Sequence, residues 1–308
     1  MGLTQTGGVQ SIRIGTAGYS YPGPPPKGWH GAFYPQARGK RIDELEYYSR
    51  IFNTVEINSS FYGPPSARMA HAWVTKTPED FLFTLKLWQK FTHPEKIGQG
   101  RSTGRWEPFT QADVDLFKTG IQPLAEAAKL GALVLQYPAG FYCNPENVER
   151  LSGTLRAFAD YPKAVELRHR SWSDKLGQTR ALLEEHGASW VLIDEPKFAT
   201  SIRQPFEAIG DILYFRAHGR NAQAWWRHDE SWQRYDYLYS REEIQRIAEK
   251  LKNAAAKPGV RQTFAVFNNH ARANAAVNAI MLAQELNVPL RSLPNEGLIA
   301  RFPALAKS

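Results

Sequence analysis

The sequence predicts an α/β fold: a (β/α)8 TIM barrel built as a single domain, with a parallel eight-stranded barrel inside and helices outside. Three observations lead there. Eight short apolar runs alternate with helical patterns, and such alternation makes a parallel sheet covered by helices. Eight units in 308 residues suit one barrel. The rival, an open doubly wound sheet, lacks the GxGxxG that should follow its first strand.

The strand-like runs are "IRIGT" (12–16), "TVEIN" (54–58), "FLFTLKL" (81–87), "ALVLQY" (132–137), "AVELRH" (164–169), "WVLID" (190–194), "ILYFRAH" (212–218) and "TFAVFN" (263–268). The helical patterns between them carry their own start and stop signals. Residues 41–52 show a 3.6-type apolar repeat. Residues 65–77 open with Pro65 and Ser66, a start signal. Residues 111–131 end on Gly131 and contain Pro123, which should kink or break a helix. Residues 145–160 begin with proline and Glu146, an acid at the dipole-favoured end. Residues 174–187 stop at Gly187. Residues 240–257 start with Ser240 and Glu243 at capping-box spacing, and 271–287 form a long alanine-rich helix. The weak link is 196–210, "PKFATSIRQPFEAIG", which reads as loop plus a short helical turn.

Composition narrows the function classes. Lys and Arg number 38 against 30 Asp and Glu, a formal charge of +8 that favours anionic ligands, nucleic acid included. The charge is dispersed, with no basic tract. A single cysteine, Cys143, excludes an internal disulfide framework and a CxxC metal site, and it has no obvious activating partner. Residues 1–10, "MGLTQTGGVQ", lack the pattern of a signal peptide and read as a frayed tail before a barrel domain over 11–308. No run of about 18 apolar residues is available to span a membrane. These features fit a cytoplasmic location; the oligomeric state is not encoded legibly.

Function is written in strand alternation, since successive side chains point to opposite faces. When the more apolar face is given to the helix layer, the other face carries Glu56 and Asn58, Thr84 and Lys86, Gln136, Glu166 and Arg168, Asp194, then Tyr214, Arg216 and His218. In a barrel these residues converge on the C-terminal mouth, where barrel enzymes hold their sites. Isolated charges inside cost several kcal/mol, so the ionisable members need each other, water or a ligand. One outcome is a self-satisfied ion-pair lattice. The other is a ligand site, in which Lys86, Arg168 and Arg216 suit a carboxylate or phosphate. Arg216→Ala is expected to separate the two: lost anion binding at little cost in stability for a ligand site, failure to fold for a lattice. Glu56, Glu166, Asp194 and His218 could also hold a hard divalent cation, but the neighbouring cations oppose it, so no metal and no cofactor is expected. Trp29, Phe33, Tyr34, Trp88, His93, Trp172, Trp225, Trp226 and Trp232 all fall on mouth-side loops, where rings stack on sugars or bases or merely pack as a lid.

The stretches "IRIGTAGYSYPG…WHGAFYP", "TVEINSSFYGPPS", "FLFTLKLWQKFTH", "VELRHRSW", "LYFRAHG", "YLYSREEI" and "FAVFNNHARANAAVNA" span nearly the whole chain. In them the sequence resembles the DUF72 family, also called YecE-like proteins. The resemblance implies a TIM barrel of unestablished activity. It implies a site at Glu56, Asn58, Lys86, Thr92, His93, Glu166, Arg168, Trp172, Arg216, His218, Asn268 and Asn269. Two departures stand out: Tyr19 where the family usually has tryptophan, and the long insert "PGPPPKG".

The expectation is therefore an enzyme acting on a small anionic or sugar-like substrate. His218 would be its acid/base, Glu56 or Glu166 the partner carboxylate, and Lys86 would join Arg168 and Arg216 in clamping the anion. Asn268 and Asn269 would orient the substrate, with Asn58, His93, Trp172 and Asp194 also contributing to binding. The alternatives are a nucleic-acid-binding or nucleic-acid-processing protein and a non-catalytic ligand-binding scaffold.

Overall fold

The computed structural model describes residues 12–35, 42–97 and 101–305. The expected tail over 1–10 lies outside them. In chain order the elements are β1 (Ile12–Thr16), α1 (Glu44–Ser49), β2 (Thr54–Ile57), α2 (Ala67–Thr75), β3 (Leu82–Lys86), α3 (Gln89–Thr92), β4 (Lys96–Ile97) and β5 (Arg101–Ser102). There follow α4 (Gln111–Glu126), β6 (Leu130–Gln136), α5 (Pro145–Ala157), β7 (Lys163–Glu166), α6 (Arg170–Asp174), α7 (Leu176–Glu185) and β8 (Ala188–Asp194). The chain closes with β9 (Ile212–Ala217), α8 (Arg241–Ala255), β10 (Gln262–Phe267), α9 (Asn274–Leu286) and α10 (Glu296–Arg301).

Eight strands form one parallel sheet in the order β1-β10-β9-β8-β7-β6-β3-β2, a nearly closed barrel with helices outside. All eight correspond to the apolar runs read from the sequence. The short antiparallel pair β4–β5 was not anticipated. Helix starts follow local chemistry. Ser66, Thr110, Asn144 and Ser240 each accept a backbone N–H at their helix N-termini, and Ser240 with Glu243 completes a capping box. Pro123 does not break α4, which continues to Glu126; Gly131 belongs to β6 rather than to a helix end. Between β8 and β9 no helix covers the sheet, so residues 195–211 cross it as irregular chain. No described helix is long and apolar enough to cross a membrane.

The barrel closes at a seam between β1 and β2, which share no regular ladder. One backbone bond, Gly18 N to Glu56 O at 2.8 Å, spans its mouth end. Side chains do the rest. The Tyr48 hydroxyl accepts from Thr16 N at 2.8 Å and donates to Thr54 O at 3.1 Å. Asn53 Oδ1 accepts from Ile14 N at 3.0 Å. A Cβ on Gly15 would lie 2.1 Å from Thr54 O, so only glycine lets the two strands approach this closely. Tyr48→Phe should strand two buried backbone groups and lower unfolding stability by about 1–3 kcal/mol, read from urea melts. An unchanged midpoint would mean that the seam does not depend on that hydroxyl.

Candidate active site

The interior charges form a chain of alternating sign. Arg216, at 1% exposure, donates from Nη2 to Glu56 Oε1 at 2.7 Å and from Nη1 to Glu166 Oε2. Arg168 Nε donates to the other oxygen of Glu166 at 2.6 Å. Below, the Tyr214 hydroxyl donates to Glu56 Oε2 at 2.9 Å and accepts from Thr84 Oγ1 at 2.7 Å. The period-two side-chain alternation of β2, β7 and β9 places Glu56, Glu166 and Arg216 inward at one level. Burial works against the Glu166 carboxylate, but Arg168 and Arg216 outweigh it and hold its pKa well below the usual range.

His218 sits at the upper edge of this chain, fully buried. Its Nδ1 lies 2.9 Å from Asn268 Nδ2 and accepts from that amide. Its Nε2 is 3.5 Å from Glu166 Oε2 and 3.3 Å from Arg168 Nη2. Burial pushes its pKa down to about 3, so the ring is neutral at physiological pH. Both of its nitrogens are engaged, no surface is exposed, and His218 is not among the residues lining the mouth cavity.

Above the lattice opens a cavity of about 470 Å3. Its floor holds Lys86, Asn58, Gln136, Asn268 and the edge of Arg216; its rings are Tyr19, Tyr21, Phe61, Tyr62, Tyr235 and His270. Lys86 Nζ rests 4.1 Å from the centre of the Phe61 ring, and among the described residues it makes no hydrogen bond or ion pair. Burial, helped by the charge of Arg216, lowers its pKa to about 7 against the pull of Glu56 and Glu166. Asn58 Oδ1 is buried without a partner beside it. Arg234 and Tyr235, on a 3-10 turn over Ser231–Tyr235, also line the cavity. Among the described residues Arg234 makes no ion pair, and it lies 5.7 Å from the Trp225 ring.

Other expected site residues are placed elsewhere. Asp194 is held bidentately by Arg220 at 2.8 and 2.7 Å and accepts from the Tyr239 hydroxyl, on the side of α8 rather than in the ring. The four-residue metal set is thus not assembled, and no other cluster suited to a metal occurs among the described residues. His93 pairs with Thr92 Oγ1 at 3.0 Å, stands edge-on to Phe61 and lines a separate cavity with Trp88 and Glu107. Trp172 is fully buried: its indole donates to Phe141 O at 2.8 Å and its ring stacks on Phe141, so it is wall and not contact surface. Asn269 Nδ2 ties Tyr237 O to Asn278 and holds a loop. Trp29, Phe33, Tyr34 and Trp225 are buried as well. Cys143 is buried, which raises its thiol pKa. Arg234, Tyr235, Tyr21 and His270 were missed because they lie in loops, where no alternation reveals the facing. The run "WQRYDY" offers the one hint, an arginine among rings.

A family model described as "Protein of unknown function DUF72" matches residues 13–298. The chain belongs to the DUF72 family. It is 30% identical over 274 residues to the UPF0759 protein YunF of Bacillus subtilis, covering 86% of this chain and 95% of that one. A DUF72 structure from Thermotoga maritima superposes with a TM-score of 0.77 at 33% identity, covering 90% of this chain and 99% of the other. A DUF72 structure from Enterococcus faecalis gives 0.75 at 26% identity, over 92% and 99%. The barrel and the DUF72 resemblance read from the sequence are therefore both found.

Two outcomes follow from the lattice. Arg216→Ala should cost about 3–5 kcal/mol, because it leaves two carboxylates buried without their shared partner. The expectation of a small cost is thereby withdrawn, and this substitution no longer separates lattice from ligand site; an urea midpoint near wild type would show that the carboxylates find another partner. Stability should also fall in acid. Glu166, with its lowered pKa, contributes stability above its unfolded value of 4.5 that is lost as pH drops, and His218, lowered from 6.5 to about 3, lets the unfolded chain take up protons first. Both signs agree, so urea midpoints should decline steadily from pH 6.5 towards pH 3; a flat profile would contradict the lattice.

Proposed function

We propose that this protein is an enzyme acting on a small anionic, sugar-like substrate in the mouth cavity, with Lys86 as the acid/base group. The observation that carries the reading is the contrast between Lys86 and its surroundings. Arg216 and Arg168 are committed to carboxylates, whereas the amine of Lys86, at the cavity and against the Phe61 ring, has no hydrogen bond or ion pair among the described residues. An amine with a pKa of about 7 can both take and return a proton at neutral pH. Arg234 supplies a guanidinium suited to a phosphate or carboxylate. Asn58, Gln136 and Asn268 offer amides to hydroxyl groups, and the rings offer faces to a sugar. The nucleic-acid reading has less support, because three of the mouth-side tryptophans, Trp29, Trp172 and Trp225, are buried, although Trp226 is exposed.

Titration calorimetry with glucose 6-phosphate, ribose 5-phosphate and the parent sugars tests this. The phosphorylated sugars should bind more tightly than the parents, and Arg234→Met should weaken them by about tenfold or more, the scale of one charge-assisted bond. Equal affinity for wild type and Arg234→Met, or no binding by either, would remove the anionic-substrate reading.

A further inference from the structure

We infer that Lys86 acts covalently: its Nζ condenses with the carbonyl carbon of an aldehyde or ketone held in the mouth cavity, giving an imine. This rests on the mouth being the substrate site and names the substrate class, an anionic carbonyl compound.

Three structural facts support it. First, Lys86 differs from the other deeply placed lysines. Lys129 Nζ donates to Val74 O, Thr77 O and Thr77 Oγ1, and Lys163 Nζ donates to Ala159 O and Tyr161 O, so both amines are capped and structural. The amine of Lys86 is uncapped and lies at a cavity wall. Second, its surroundings favour the neutral, nucleophilic form. Burial disfavours an ammonium here and the charge of Arg216 adds to it, and together they outweigh the attraction of Glu56, Glu166 and the Phe61 face for a cation. Third, the amine is held from below. Lys86 ends β3, and its carbonyl accepts from Ser60 Oγ at 2.7 Å, fixing the backbone from which the side chain rises. Phe61 is itself backed by the His93 ring at 4.9 Å.

The step balances without an oxidant or reductant. The Nζ lone pair forms a C–N bond as the carbonyl π pair moves to oxygen, which takes the proton that nitrogen releases. The hydroxyl of the resulting carbinolamine takes a second proton from solvent and leaves as water, while the nitrogen lone pair closes the C=N bond of the protonated imine. The iminium then draws electrons from the adjacent carbon, the role that a lysine Schiff base plays generally. Arg234, which lines the same cavity, is the guanidinium available to hold the anionic end.

Reductive trapping tests the inference. Whole protein is incubated with glyoxylate or with glycolaldehyde phosphate plus cyanoborohydride, then digested and mapped by mass spectrometry. At pH 7 the adduct on Lys86 is expected to exceed that on any surface lysine of ordinary pKa by about tenfold or more, because such amines are then almost wholly protonated, while the α-amine, which titrates near about 8, is counted separately. Labelling should reach half its maximum near pH 7. Lys86→Arg should abolish the adduct, with its circular dichroism and melting temperature checked against wild type. Adducts scattered over surface lysines with Lys86 untouched would overturn the imine. If sugar phosphates nevertheless bind in the calorimeter, only the covalent step fails; if they do not, the site reading fails with it.

Discussion

Charge neutrality inside a nearly closed barrel is the constraint on which the site depends. Two carboxylates and two guanidiniums occupy space that barrels commonly fill with branched apolar side chains. Each would cost several kcal/mol alone. They persist because Glu56, Arg216, Glu166 and Arg168 alternate in sign and share hydrogen bonds across the barrel. The links are long in sequence: Arg216 reaches 160 residues back to Glu56 and 50 back to Glu166. The chain therefore fixes β2, β7 and β9 relative to one another at the level of the mouth, while Tyr214 and Thr84 secure its lower end and His218 with Asn268 its upper edge.

That pairing bears on the lowered pKa of the lysine above it. Inside the barrel the carboxylates are satisfied by arginines, so the amine of Lys86 meets their charge at a distance and the positive charge of Arg216 as well. Desolvation then decides, and the amine approaches neutrality at physiological pH. The lattice and the ligand site are not competing descriptions of one ring. The lower members form a self-satisfied support, and the support sets the protonation of the residue that faces the cavity. His218 illustrates the division: its sequence position suggests chemistry, yet its two nitrogens are spent on orientation.

The strands were legible because period-two alternation is a local signal, and it placed Glu56, Glu166 and Arg216 on the inner face correctly. The helix caps at Ser66 and Ser240 were legible for the same reason. What alternation cannot report is who pairs with whom, so it could not tell that Arg216 is consumed by two carboxylates or that Lys86 is left over. It also fails at strand ends. Asp194 closes β8 but turns to Arg220 and Tyr239, since a bidentate guanidinium outside is a better partner than a crowded interior. Loop residues were the least legible. The tryptophans drew attention by size, yet Trp29 and Trp172 are large enough to serve best as packing, while smaller rings such as Tyr21 and Tyr235 border the cavity.

The cavity also sits where the barrel is least continuous. Gly18 to Tyr21 follow β1, and Asn58 to Tyr62 follow β2; residues of both loops line it, one on each side of the seam. The seam has side-chain hydrogen bonds from Tyr48 and Asn53 in place of a ladder. At the mouth an isolated parallel bridge pairs Ala17 with Glu56, the first carboxylate of the lattice, and Gly18 N donates to Glu56 O. Elements joined by few backbone bonds open at lower free energy than laddered ones. The cavity thus borders the least laddered joint of the barrel, while the ion-pair chain ties β2, β7 and β9 beneath it.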